Sequence, residues 1–328
     1  MAAAVVIGRN EGARLVRCLR AALQACAPVV YVDSGSEDGS VEAARELGVE
    51  VVELDPQRPF SAARARNEGV ARLRSLDPGA AFVQLVDGDC ELVPGWVELA
   101  ERVLDEVPRC AVVCGRRRER HPEASIYNRL CDLEWDTPVG RTDSCGGDAL
   151  IRIEAFEEVG GFRDEVIAGE EPELCLRLRR AGFRIQRIDA EMTLHDAAIE
   201  RFGAWWKRVR RGGHAAAEGW WRHRGDPERF MARRVASALL WGAAAPGAAL
   251  LAAPWTGGGS LVALLALLGA QGLRISGARR RAGRSRADAR LEAVFLLVGK
   301  PAEAAGVLQF LMRRLLRRAP RVIEYKKG

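Results

Sequence analysis

Ala80-Ala81-Phe82-Val83-Gln84-Leu85-Val86-Asp87-Gly88-Asp89 is the stretch on which the reading of this chain turns. The uncharged run reads as a buried strand, so two carboxylates stand at its carboxyl end. In open α/β sheets that end is where ligands bind. Two acids one residue apart can share a hard divalent cation, and such a cation can hold a diphosphate. Asp-Gly is also ordinary turn chemistry, so the meaning of the tripeptide depends on what surrounds it.

Upstream, strand-like and helix-like segments alternate. Residues 3–8 are apolar, and 11–25 carry helical spacing in Leu15, Cys18, Leu19 and Ala22. Residues 29–32 are strand-like and end at Asp33; a second helix opens at Ser36 and runs to about 47. A strand at 49–54 and a helix at 61–76 then lead to Asp87. Repeated βα units of this length predict a mostly parallel sheet with helices on both faces. Right-handed crossovers gather Gly8, Asp33 and Asp87 along one edge. Downstream the pattern is mixed: a helix at 98–106, a strand at 110–115, and an irregular stretch at 122–141. A strand follows Gly146-Gly147-Asp148, then come helices near 154–159 and 173–181 and a strand at 183–188.

With 328 residues, 48% hydrophobic and 29% charged, the chain can bury a large core. Its net charge of +6 is unevenly placed. Residues 274–328 hold 15 Lys/Arg against 4 Asp/Glu, leaving 35 basic and 40 acidic residues before them. The basic balance therefore belongs to the tail, and the main domain is not expected to bind nucleic acid. All eight cysteines lie between Cys18 and Cys175, with no CxxC pair. They are read as reduced thiols used as small core residues. The first residues lack a basic n-region and a long apolar stretch, so the amino-terminal domain is expected to stay in the cytoplasm.

Composition changes after Arg234. Residues 235–255 are 21 positions without a charge, and 260–273 form a second apolar segment after Thr256-Gly257-Gly258-Gly259. The first is long enough to span a bilayer, and the second spans with tilt or with neighbouring residues. Arg233 and Arg234 precede the pair, and Arg274 and Arg279 to Arg281 follow it. The positive-inside rule then puts both outer ends in the cytoplasm, as a hairpin in the cytoplasmic membrane. Two Ala/Leu-rich core helices are the alternative. Residues 291–316, broken by Lys300-Pro301 and edged by Arg313, Arg314, Arg317 and Arg318, suit an interfacial helix on anionic lipid. The expected domains are 1–234, a helical hairpin at 235–273, and a basic loop with an amphipathic helix at 274–328. Trp205-Trp206 and Trp220-Trp221, beside Lys207, Arg208, Arg210 and Arg211, fit a membrane-interface helix or ordinary packing.

Several residues carry the candidate chemistry. Asp33 ends a strand and precedes Ser34-Gly35-Ser36-Glu37-Asp38-Gly39-Ser40, where it can accept hydrogen bonds from a base edge or ribose. Glu11 follows the first strand near a helix start. Arg64 and Asn67 share a helix face, and a cation there can neutralise a diphosphate; Arg66 is read as pointing away, to the surface. Glu170-Glu171 precedes Pro172 at a helix start, where a carboxylate can deprotonate a substrate hydroxyl or merely complement the helix dipole. His195 follows Met192-Thr193-Leu194 and can complete a metal site. Gly146 and Gly147 allow close backbone approach of a ligand, with Asp148 beside them.

Taken in order, Val5-Val6-Ile7-Gly8-Arg9-Asn10-Glu11, Val32-Asp33-Ser34-Gly35-Ser36, Ala63-Arg64-Ala65-Arg66-Asn67-Glu68-Gly69, Asp87-Gly88-Asp89 and Gly169-Glu170-Glu171-Pro172-Glu173-Leu174 resemble the family 2 glycosyltransferases over roughly residues 3–200. The resemblance implies an α/β glycosyltransferase-A domain followed by a helical membrane region, and an inverting hexosyl transfer from a nucleotide-diphospho-sugar donor. It implies that Asp33 and Glu11 hold the nucleoside, that Asp87 contacts ribose or metal, and that Asp89 binds Mn²⁺ or Mg²⁺. His195 matches a downstream metal or diphosphate contact. Glu171 stands where the family usually has an Asp general base, with Glu170 as the other candidate, and Asp148 with the two glycines lines the acceptor side. Two departures stand out: Gly8-Arg9 replaces the usual aromatic before Asn-Glu, and Glu171 is one methylene longer than Asp.

The expected reaction is metal-assisted transfer to a hydroxyl of a lipid-linked, glycan or otherwise membrane-proximal acceptor, in contact with membrane lipids and serving a cell-envelope polysaccharide. The alternative is a membrane-anchored nucleotide-sugar-binding protein without catalysis.

Overall fold

A computed structural model describes residues 1–316; Arg317 and Arg318, counted above as edging the last apolar stretch, lie outside the described residues. The chain divides into two compact units, Met1–Ala198 and Ile199–Gly328. Residues 199–234, read above with the first domain, fold with the helices that follow them.

The first unit begins with β1 (Ala3–Gly8), α1 (Ala13–Ala25), β2 (Val29–Asp33), α2 (Ser40–Glu46), β3 (Glu50–Glu53), α3 (Ala62–Leu76) and β4 (Phe82–Asp87). These strands pair in parallel in the order β3-β2-β1-β4. Register sets Gly8 opposite Asp33 and Ile7 opposite Asp87, so the three strand ends meet at one edge as the alternation predicts. The sheet continues with β5 (Cys90–Leu92), α4 (Trp96–Glu106), β6 (Cys110–Glu119), α5 (Ile126–Glu134), β7 (Gly140–Arg141), β8 (Ala149–Arg152), α6 (Ile153–Glu158), α7 (Glu170–Arg180) and β9 (Arg184–His195). Its full path is β3-β2-β1-β4-β8-β6-β9-β5, with β7 on β9. β8 runs antiparallel to both β4 and β6, which makes this half mixed.

Three local readings change. The stretch 122–141 contains helix α5, started by Ser125, whose hydroxyl accepts from the Asn128 N–H. β6 continues four residues past Gly115, and β9 runs unbroken to His195, because the two pair in parallel through bulges. In that extension Arg117 and Glu119 are buried while Arg118 is exposed, an inward-outward alternation carried by charges.

α3 lies close against β1 and β2 through Gly69. A Cβ there would overlap Val5 and fall 2.9 Å from Val32 Cγ2. Gly69→Ala is expected to destabilise the fold by about 1–3 kcal/mol through overpacking, read as a lower denaturation midpoint with an unchanged slope.

The second unit is helical: α8 (Phe202–Arg222), α9 (Ala232–Leu239), a π-helical turn (Leu240–Ala244), α10 (Ala245–Ala252), α11 (Gly259–Arg281), α12 (Arg286–Val298) and α13 (Lys300–Leu315). The wide turn precedes Pro246, whose ring would clash with the carbonyl four residues back in a regular helix. Three helical stretches are long and apolar enough to cross a membrane: Ala232–Ala252, Gly259–Arg281 and Arg286–Leu315. α11 has no buried residue, and Val262, Leu265 and Leu273 are largely exposed. Exposed apolar surface of that extent marks a face for lipid or for a protein partner. The last stretch is divided at Gly299 into α12 and α13. α8 and α13 touch backbone to backbone: a Cβ on Gly213 would overlap the Glu303 carbonyl, and one on Gly306 the Arg210 carbonyl.

Candidate active site

β5 pairs antiparallel with β9 in a register that sets Cys90 opposite His195, and the Asp196 N–H donates to the Asp89 carbonyl at 3.1 Å. This brings His195 Nε2 to 3.4 Å from Asp89 Oδ2. On the other side of the ring, Nδ1 lies 3.5 Å from Glu119 Oε2. Glu119 is itself held by the Ala197 and His121 N–H groups. The edge of Trp135 packs on the imidazole at 4.6 Å. A carboxylate behind Nδ1 orients the ring and leaves Nε2 to share a ligand with Asp89. The Cys90 thiol lies beside them, and one oxygen, one nitrogen and one sulfur among buried residues fit a divalent transition metal better than Mg²⁺, which demands oxygen.

Burial disfavours a charged His195, but Asp89 and Glu119 outweigh it and raise its pKa above the ordinary value. A folded pKa above the unfolded one contributes stability that is fully present below about pH 6.5 and is lost as pH rises through the folded value. The metal-free protein is therefore expected to lose stability through that window on going to alkaline pH. His195→Gln should flatten the dependence, as read by thermal melts across pH.

Beside this pair lies a chain of charges. Arg66, 2% exposed, donates from Nη2 to Asp87 Oδ1 and from Nη1 to Glu170 Oε1, both at 2.7 Å. Its guanidinium lies over the Phe162 ring. The surface placement read for Arg66 is corrected: it bridges the strand end and the start of α7. Asp87 is held below its ordinary carboxylate value: desolvation would raise it, but Arg66 and Arg117 prevail. Arg117 reaches Asp148 Oδ2 at 2.7 Å and Asp87 Oδ2 at 3.5 Å. Asp148, fully buried, also accepts from the Asp87 N–H and the Thr193 hydroxyl. It ties β4, β6, β8 and β9 together at the site floor, with Gly147 against the Arg117 guanidinium. Arg66→Lys keeps a charge but cannot make both contacts. We expect a loss of about 1.5–3 kcal/mol of stability, measured by denaturant unfolding.

The two glutamates at the start of α7 differ in their partners. Glu170 is neutralised by Arg66. Glu171, 7% exposed, accepts through Oε1 from the Cys145 N–H and from Cys175 Sγ, and has no cationic partner among the described residues.

Asp33 is buried and accepts from the Tyr31 hydroxyl at 2.7 Å and from the Gly35 and Ser36 N–H groups at 2.8 Å. It thereby shapes the loop after β2. Asn10 stitches that loop to the one after β1 through Ser36 and Glu37. Glu11 pairs with Arg14 and lies beside the Asp87-Gly88-Asp89 turn, its Cγ 3.4 Å from where a Gly88 Cβ would stand. Arg64 is spent on Glu68 and on the Asp55 and Arg58 carbonyls, securing the loop before α3. Asn67 holds Phe162 and Asp164. An aromatic absent before Asn10 enters from another loop: Phe60 packs beside Gly35 with the Arg9 guanidinium 5.6 Å from its ring.

Among the described residues all eight cysteines are free thiols, seven of them buried, as the core reading requires.

Residues 4–160 match the model of glycosyl transferase family 2. The chain is 24% identical over 247 residues to the glycosyltransferase AglE of Haloferax volcanii, covering 71% of this chain and 76% of that one. It is 30% identical over 214 residues to the succinoglycan biosynthesis protein ExoA of Rhizobium meliloti, covering 61% of this chain but only 63% of ExoA. In fold it is similar to the mannosyltransferase PcManGT of Pyrobaculum calidifontis, solved with GDP-Man and Mn²⁺, with a TM-score of 0.57, 18% identity, and coverage of 94% of this chain and 86% of that one. The ordered motifs meet at one sheet edge, and residues 4–160, which match the glycosyl transferase family 2 model, contain that edge.

Proposed function

We propose that the protein transfers a sugar, with inversion, from a nucleoside-diphosphate donor to a hydroxyl of a lipid-linked or membrane-proximal acceptor. The observation that carries the reading is the meeting of Asp87 and Glu170 on Arg66, and of Asp87 on Arg117, at the strand ends, with Asp89, paired to His195, following β4 and Glu171 next to Glu170 at the start of α7.

Asp89 and His195 are the residues that would hold Mn²⁺; when bound, the ion supplies charge stabilisation for the departing diphosphate. Asp33 keeps the loops after β1 and β2 in shape, and Arg9 with Phe60 supplies flat surfaces suited to a nucleobase. Asp87, partly exposed and kept ionised by Arg66 and Arg117, accepts hydrogen bonds from the ribose side. Glu171 takes the proton of the acceptor hydroxyl as it attacks the anomeric carbon from the face opposite the leaving group. Glu171 has no cationic partner among the described residues, whereas Glu170 is committed to Arg66. Arg66 holds the donor-side carboxylate and the start of α7 at a fixed separation, which supports in-line geometry.

The acceptor class is supported by the three apolar helical stretches and by a relative named for succinoglycan biosynthesis. The flanking arginines support a catalytic unit on the cytoplasmic side. Titration of UDP, GDP and dTDP into detergent-solubilised protein, with and without Mn²⁺, tests the donor site. Metal-dependent binding of one nucleotide is expected; folded protein that binds none would sink the proposal.

A further inference from the structure

A second cluster of metal-type donors lies at the proposed base. Cys145 Sγ and Cys175 Sγ are 3.8 Å apart, and Cys175 Sγ is 3.1 Å from Glu171 Oε1. One ligand atom from each residue falls within a common 4.8 Å. Two thiolates on a tetrahedral zinc at about 2.3 Å stand about 3.8 Å apart, and a thiolate and carboxylate oxygen about 3.5 Å. The sulfurs therefore already hold the zinc spacing, and Glu171 Oε1 stands within a few tenths of an ångström of the zinc spacing from Cys175 Sγ. Helix geometry supplies half of the site, since Glu171 and Cys175 are i and i+4 on α7. The other half comes from the loop before β8, whose Cys145 N–H is bonded to the same carboxylate. Cys145 is half-buried, so the site is reachable from solvent on that side. No short cysteine motif announces this arrangement, because its ligands lie 30 residues apart in sequence.

The geometry points to an inhibitory site for a thiophilic divalent cation, of the Zn²⁺ class, built from Cys145, Cys175 and Glu171. Binding releases the two thiol protons to solvent and involves no change of oxidation state. Donor chemistry separates this site from the other: two sulfurs here select Zn²⁺ or Cd²⁺, while Asp89 and His195 bring oxygen and nitrogen with the single thiol of Cys90 beside them. A cation held here occupies the lone pairs of Glu171 and fixes the Gly146-Gly147 loop to α7. The transfer reaction then stops without displacement of Mn²⁺ or donor. The binding site stands on geometry alone; its inhibitory effect rests on the assignment of Glu171 as base.

The test uses reduced, detergent-solubilised full-length protein with Co²⁺ as a spectroscopic probe. A thiolate-to-cobalt charge-transfer band with strong tetrahedral visible bands is expected, displaced by Zn²⁺ and absent from Cys145→Ser and from Cys175→Ser. In transfer assays at saturating Mn²⁺, Zn²⁺ should inhibit the parent chain. Each serine variant, compared with its own uninhibited rate, should need at least roughly tenfold more Zn²⁺. Thermal melts of metal-free variants check that they fold. A parent chain without the thiolate band, a band surviving both substitutions, or Zn²⁺ inhibition relieved by excess Mn²⁺ and indifferent to serine would overturn the site. So would mass spectrometry showing the two cysteines already joined as a disulfide in the reduced preparation. If no transfer is found under any condition, the catalytic reading fails, and the cobalt bands still decide the metal site.

Discussion

Glu171→Gln is expected to lower kcat by about 10²–10⁴-fold while leaving donor binding within a few-fold of the parent. The substitution is isosteric, and the amide oxygen can still accept from the Cys145 N–H, so folding should survive. What it removes is the proton acceptor. Glu170→Gln is the control with the opposite signature. It weakens the pair with Arg66 and should show chiefly as lost stability, because that carboxylate is neutralised by a buried guanidinium. Single-turnover rates together with unfolding midpoints for the two variants separate the roles. If Glu170→Gln abolishes transfer and Glu171→Gln does not, the base has been assigned to the wrong residue.

Asp89→Ala should remove Mn²⁺-dependent binding of nucleoside diphosphate altogether, measured by calorimetry with and without the ion. Asp89 supplies the only carboxylate within 4 Å of His195 Nε2 among the described ion pairs, so its loss removes the acidic donor and leaves the imidazole beside the Cys90 thiol. Glu119→Gln sets the scale. Changing a residue that only orients a ligand typically costs about 10–100-fold in metal affinity, and Asp89→Ala should exceed that. Equal effects from the two would mean that Asp89 is not a direct ligand.

The parallel half of the sheet was legible because its strands are apolar runs closed by Asp33 and Asp87, and register does the rest. Asp89 and His195 were legible as residue types, but their meeting was not, because it depends on the pairing of β5 with β9. Arg66 was misjudged by treating Arg64 and Asn67 as the functional face. Ala63, Arg66, Val70 and Leu73 follow 3-4-3 spacing, and all four are buried on α3. An arginine inside an apolar stripe is itself a signal of a buried ion pair. Arg117 escaped for a similar reason: it continues the inward alternation of β6 after the apolar residues end. Both arginines occupy positions that pattern reading reserves for hydrocarbon, and the acids opposite them come from segments 21 to 104 residues away.

Gly213 and Gly306 have a mechanical consequence. With peptide planes of α8 and α13 in direct contact, each helix is a rack whose teeth are the neighbour's carbonyls. Sliding either by one residue would drive a side chain into main chain, so the pair has a single phase. Association of this kind draws on close packing and not on expulsion of water, and it therefore persists where the surroundings are as apolar as the helices. Any movement of the second unit must carry α8 and α13 together as one rod.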